Sequence, residues 1–201
     1  MEKTLYLECY SGISGDMTVA ALLDLGADRA ALDIAINSIK PLVSGFEVEV
    51  KRVQKAGIDA CDFNVILDKT HENHDHDMEY LHGHHGEQDA GHHHDHNGDA
   101  HHHTHIGLNE ITDVLNKAAL TDGARALALK IFGILADAEA KAHHKPANEV
   151  HFHEVGAVDS IVDIMSAAVC VDSLKKKHQI TNVVVSVLYE GQGSVRCQHG
   201  I

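Results

Sequence analysis

Apolar and polar residues alternate from Thr4 to Cys9, the period-2 habit of a strand, and the small residues Ser11-Gly12-Ile13-Ser14-Gly15-Asp16 follow as a turn. A helix is expected from Met17 to about Leu25, ended by Gly26. Asp28 should cap a second helix whose apolar stripe is Leu32, Ala35, Ile36 and Ile39, closed by Pro41 and Gly45. Phe46, Val48, Val50 and Val53 alternate with polar neighbours. After Ala56-Gly57, the residues Ile58, Cys61, Phe63, Val65 and Leu67 do the same, so the two runs predict a β-hairpin. Further on, Leu108, Ile111, Val114 and Leu115 share a helical face between Ile106 and Ala118. Thr121-Asp122 should cap a longer helix through Ala142, with Ala124, Leu127, Ile131, Leu135 and Ala138 as its stripe, and the two helices should pack as a pair. Val150 to Val155 reads as extended, Ala157 to Leu174 as a helix, and Val183 to Leu188 as a continuous apolar run of the buried-strand kind. The pattern predicts an α/β fold, a mixed small sheet packed against helices, without internal repeats.

Between the hairpin and Ile106 the periodicity disappears. Residues 71–105 hold fourteen histidines and eight carboxylates, with no Lys or Arg. Such a segment cannot bury enough apolar surface to offset its chain entropy, so a long disordered His-rich insertion is expected when metal is absent. One α/β domain, 1–70 with 106–201, would then carry 71–105 as an insertion. Neutral imidazole beside carboxylate suits divalent nickel, zinc, copper or cobalt, and His92, His93, His94, His96, His101, His102, His103 and His105 form the densest ligand cluster. Full protonation would take the segment from −8 to +6, so its metal capacity should fade below neutral pH.

The 201 residues carry a formal charge of −14, of which the His-rich segment accounts for −8. The remaining body is mildly acidic, and its one short basic cluster, Lys175-Lys176-Lys177, reads as a solvated helix end, so nucleic acid is not an expected partner. No apolar run reaches the ~18 residues of a membrane span, and the first ten residues lack the apolar core of a signal peptide, which points to a cytoplasmic protein. Cys9, Cys61, Cys170 and Cys197 are widely spaced and form no C-x-x-C pair; buried free thiols are expected, with Cys9 and Cys197 as conceivable soft metal ligands.

Two further constellations bear chemistry. In Glu149 to Ile164, His151 and His153 project from one face of an extended segment, while Asp159 and Asp163, four apart on a helix, share another. Two imidazoles and two carboxylates can converge there on a divalent metal and leave positions open for substrate. The plainer alternative is a helix capped by Asp159 or Ser160, with Asp163 solvated and both histidines bonded at a surface. Glu154 can be a ligand, a partner of a ligand or a general base. The second constellation is the turn before the first helix, where Ser11, Gly12, Ser14 and Gly15 offer backbone N–H groups and hydroxyls to phosphate or carboxylate. A plain turn with Asp16 as helix cap is the competing reading, since neither Walker nor dinucleotide spacing is present. His143-His144 could extend a metal site or simply interact with a helix C-terminus.

Leu5 to Met17, the His-rich insertion, the block from Val150 to Ile164, and Gly191-x-Gly193 with His199-Gly200 together make the chain similar to the LarC family, across essentially its whole length. Glu8 departs from the family, which more often carries Asp at that position. The resemblance implies CTP-dependent insertion of nickel into pyridinium-3,5-bisthiocarboxylic acid mononucleotide, giving nickel–carbon and nickel–sulfur bonds in the nickel-pincer nucleotide cofactor. This would be a lyase or chelatase activity. Nickel is the implied metal, with CTP and Mg2+ or Mn2+ as further cofactors. His151, His153, Asp159 and Asp163 become the implied nickel ligands, Glu154 and Asp16 the catalytic carboxylates, and the turn Ser11 to Asp16, through Ser11, Gly12, Ser14 and Gly15, the mononucleotide phosphate site. The family also implies a C-terminal domain associated with CTP beyond the closing motif. This chain reads as the N-terminal, nickel-binding part, with that C-terminal half as its partner and with activity that can depend on it; homo-oligomerisation is left open. A nickel store or chaperone without catalysis, and a metal-dependent phosphoester hydrolase, are the alternatives.

Overall fold

A computed structural model describes residues 2–68, 107–146, 149, 152, 158–189 and 191–193. In chain order it contains β1 (Lys3–Leu7), α1 (Gly15–Asp24), α2 (Arg29–Ile39), β2 (Phe46–Lys55), β3 (Ile58–Leu67), α3 (Leu108–Lys117), α4 (Asp122–His143), α5 (Val158–His178) and β4 (Ile180–Val185). The fold is α/β, as the pattern predicts. The His-rich segment lies outside the described residues.

Local chemistry accounts for the elements. Asp28 caps α2 by accepting from the Ala30 and Ala31 N–H groups, and Leu32, Ala35, Ile36 and Ile39 are all buried. Thr121 caps α4 through the Ala124 N–H, and at the start of α3 the Glu110 carboxylate accepts from the Gly107 N–H. The Arg125 guanidinium reaches back to the carbonyls of Leu115, Ala118 and Leu120, so α4 supplies the donors that the end of α3 lacks. The hairpin β2–β3 pairs antiparallel from Phe46↔Leu67 to Lys55↔Ile58. Its two-residue turn has positive φ at both Ala56 (50°) and Gly57 (80°), the combination whose twist matches the flanking strands. β1 and β4 pair parallel as a second two-stranded sheet.

One hydrophobic cluster joins these elements, and α5 runs through it. Val158, Ile161, Val162, Met165, Ser166, Ala168, Val169, Cys170 and Leu174 are all buried, and α1, α2, α4, β3 and β4 all touch the helix. Its C-terminal end clasps the α1–α2 loop: Lys177 Nζ donates to the Gly26 carbonyl at 2.8 Å, and the Asp28 N–H donates to Ser173 Oγ at 3.1 Å. The basic cluster of the sequence is thus the last turn of a helix, where cations meet the negative end of its dipole. No helix among the described residues is long and apolar enough to cross a membrane.

Two expectations change. The stripe of α4 is Ala124, Ala128, Phe132 and Ala136, rotated from the one the pattern suggests; Leu127, Ile131 and Leu135 flank it and Ala138 is exposed. Three alanines let α4 approach α5 closely, while Phe132 fills the space between and meets Phe152 edge-on at 6.2 Å. The run Val183–Leu188, of buried-strand type, is exposed, with Val183, Val184 and Val185 each 44–48% accessible. Phe132→Ala should cost about 3–5 kcal/mol, because Phe132 is fully buried and the alanines around it cannot fill the gap. Urea unfolding followed by circular dichroism measures that loss.

Candidate functional site

The first turn of α1 lies directly on the first turns of α5. A methyl group built on Gly15 would stand 2.3 Å from Asp163 Oδ2 and 2.6 Å from its Cβ, so only glycine permits this approach. The carboxyl received by the start of α1 is therefore Asp163. Burial is the main reason its pKa is pushed up to about 7, with the carboxylates of Asp16 and then Asp159 adding repulsion, and the Asp16 backbone N–H acting in the opposite direction. Its Oδ1 is buried and has no hydrogen-bond partner among the described residues; the Ser166 hydroxyl, one turn further along α5, is in the same condition. Asp159 Oδ1 accepts from the Ser160 N–H at 2.7 Å.

The Gly-rich turn sits above this junction. Gly12 takes a left-handed φ of 85° and its N–H donates to the Cys9 carbonyl at 3.1 Å, forming a tight reversal. Ser14 is the residue before α1, yet its hydroxyl donates to Asp16 Oδ1 at 2.5 Å instead of capping the helix. Thr18 Oγ1 donates to the Ser14 carbonyl at 2.6 Å. Ser11 is exposed. On another face of α1, a cleft of about 280 Å³ opens toward β1, lined by Tyr6, Glu8, Cys9, Ile13 and Met17 among others.

The structure thus brings Asp16, Asp159 and Asp163 to one place, and with them Ser14 and Gly15. His151, His153, Glu154 and the histidines His92, His93, His94, His96, His101, His102, His103 and His105 lie outside the described residues, as does Cys197. Phe152, between the two histidines, is buried against Phe132. Among the described residues no group of three or more His, Cys, Asp or Glu is arranged to hold a metal ion. Cys9, Cys61 and Cys170 are free thiols, with Cys9 and Cys170 buried. His143 lies 3.2 Å from Glu139 in the last turn of α4, and His144 ends that helix in a left-handed conformation. Sequence reasoning missed that Asp16 belongs with Asp159 and Asp163. Gly15 is the signal that could have shown it, since glycine at a helix start, beside hydroxyls that could cap, marks a close approach.

These features define an α/β protein with a half-buried acidic site at the start of a helix. Residues 5–201 match the family described as nickel insertion protein, and the chain belongs to that family. It is 48% identical to the pyridinium-3,5-bisthiocarboxylic acid mononucleotide nickel insertion protein of Alkaliphilus metalliredigens, over 100% of this chain and 43% of that protein. The protein of the same name from Clostridium acetobutylicum is 42% identical over 99% of this chain and 46% of its own length. A putative nickel insertion protein of Rhodopirellula baltica is 33% identical over 100% of this chain and 41% of its own. The chain spans less than half the length of these relatives. No solved structure matches it.

In the metal-free chain Asp163 should leave a pH signature. Its pKa is higher folded than unfolded, so between about pH 4 and 7 the folded chain holds a proton that the unfolded chain has released. The group's contribution to stability is complete below about pH 4 and is lost as pH rises through 7. Asp163→Asn removes the ionisation and should raise Tm by about 4 °C or more at pH 8, with little change at pH 4. Equal shifts at both pH values in thermal melts would contradict the assignment.

Proposed function

We propose that this chain is the nickel-binding part of an insertase that places nickel into pyridinium-3,5-bisthiocarboxylic acid mononucleotide. Nickel is here a substrate. Membership of the nickel insertion family supports the reading, and the observation that carries it to particular residues is the buried Oδ1 of Asp163, without a hydrogen-bond partner among the described residues, beside Asp16 and Asp159. A carboxylate oxygen withdrawn from water without a donor is costly, and a cation offsets that cost. Oxygen donors alone do not favour nickel over magnesium or manganese; imidazole does, and His151 and His153 are the residues that supply it in this reading. Glu154 stands next to them as the catalytic carboxylate, and Ser11, Gly12, Ser14 and Gly15 receive the mononucleotide phosphate.

In this division of labour, residues 71–105 are an inserted collector that raises the local supply of nickel, and α1 with α5 hold the metal during transfer. CTP and its Mg2+ or Mn2+ belong to the part of the relatives that this chain does not cover. Among the described residues, the cavity that contains lysines does not fit a triphosphate. The cavity of about 360 Å³ between α2, α4 and α5 contains Lys176 and Lys177, but it also contains Asp28 and Asp172, and both ammonium groups are already bonded, to Asp172 and to the Gly26 carbonyl.

The double variant His151→Ala/His153→Ala should lower nickel insertion at least ~100-fold while the far-ultraviolet dichroism stays native, since loss of the ligands themselves should cost no less than the ~10–100-fold that follows loss of the groups orienting them. Full activity would remove these residues from the site. Deleting residues 71–105 should reduce insertion at limiting nickel and leave it nearly unchanged at excess, with one tightly bound ion retained in metal analysis. Loss of every bound ion with that segment would instead make the chain a nickel store.

A further inference from the structure

The strand β4 presents a surface that a folded protein does not ordinarily leave bare. Val183, Val184 and Val185 are consecutive, so their side chains alternate between the two faces of the sheet, and all three are nearly half accessible. Val187 at 70%, Leu188 and Tyr189 continue the exposed run beyond the strand. Parallel strands made of unbroken apolar residues occur with both faces covered, and two strands are too few for a sheet that stands by itself. The β1–β4 pair has no further strands among the described residues, and although Leu5 of β1 is buried and α5 touches β4, these valines stay nearly half accessible. An apolar surface this continuous marks an interface.

Its occupant follows from length and charge. The relatives match this chain over its whole length and are more than twice as long, so in them a larger mass of protein accompanies the same fold. A second copy is the poorer fit, because each chain carries a formal charge of −14 and like-charged copies repel at close range. We propose that the face formed by β4 and the residues up to Tyr189 is the docking surface for the part of the relatives that lies outside the aligned region, with an apolar segment of that part extending the β1–β4 sheet. The inference rests on the reading of this chain as one part of an insertase. The surface adjoins the substrate side of the molecule: Gly12 approaches the Tyr189 carbonyl, Cys9 donates its N–H to Ser186 Oγ at 2.8 Å, and Tyr189 meets Tyr10 edge-on at 6.0 Å. A partner seated on β4 therefore stands beside the Gly-rich turn, where it can deliver a second reactant to the same site.

The full-length Alkaliphilus metalliredigens relative provides the test. A photo-crosslinking residue is placed at its position aligned with Val187, and amide exchange is followed in the strand aligned with β4 and in β4 of this chain. The expected crosslink joins peptides from outside the aligned region, and the strand's amides exchange at least ~10-fold more slowly in the long protein than here. Crosslinks confined to the aligned region, no crosslink at all, or equal exchange in the two proteins overturns the proposal. So does exchange in this chain that slows as its concentration rises, because that result assigns the surface to a second copy. Nickel insertion assayed on the same crosslinkable protein separates the two readings: insertion without the crosslink sinks the docking surface alone, and the crosslink without insertion sinks the functional reading alone.

Discussion

The burial of α5 is the constraint on which the rest of the molecule depends. The helix has nine buried residues and touches α1, α2, α4, β3 and β4, so four separate stretches of chain meet only because each covers part of it. An amphipathic helix needs one covered stripe, whereas a helix buried around most of its girth requires several partners at once. That requirement brings the hairpin, the N-terminal helices and the α3–α4 pair into one hydrophobic cluster.

The acidic site is a consequence of the same packing. α1 can lie on α5 only where both surfaces are small, and Gly15 supplies that clearance at the position of Asp163. The approach strips water from one carboxyl and leaves it flanked by two others, which is why it holds its proton up to about pH 7. A structure optimised for stability alone would place an apolar residue there. Instead a strained arrangement of charge sits where the first helix begins, next to a turn rich in glycine and hydroxyls, in a chain that belongs to the nickel insertion family.

Packing elsewhere follows ordinary economy. Asp24 accepts from the Cys61 N–H at 2.8 Å and pairs with Arg52, so the end of α1 is tied to β3 by groups that need partners. Arg125 serves three carbonyls at the end of α3. Against this background of satisfied groups, the oxygens of Asp163 and Ser166, without partners among the described residues, and the exposed valines of β4 stand apart.

The sequence by itself determined most of the local structure: the caps Asp28 and Thr121, the stripe of α2, the hairpin with its Ala56-Gly57 turn, and the family, legible in the motifs around Gly15 and His153. These are short-range properties, fixed by hydrogen bonds and periodicities within a few residues. It also pointed to Asp159 and Asp163, which share a helix. Only the tertiary structure decided which face of α4 turns inward, because three alanines and one phenylalanine must match the surface of α5, and intrinsic hydrophobicity along α4 does not contain that shape. Only the tertiary structure joined Asp16 to the other two carboxylates, across most of the chain, and showed β4 uncovered. Both depend on which surfaces meet, and that is settled by the cooperative packing of distant segments around one buried helix.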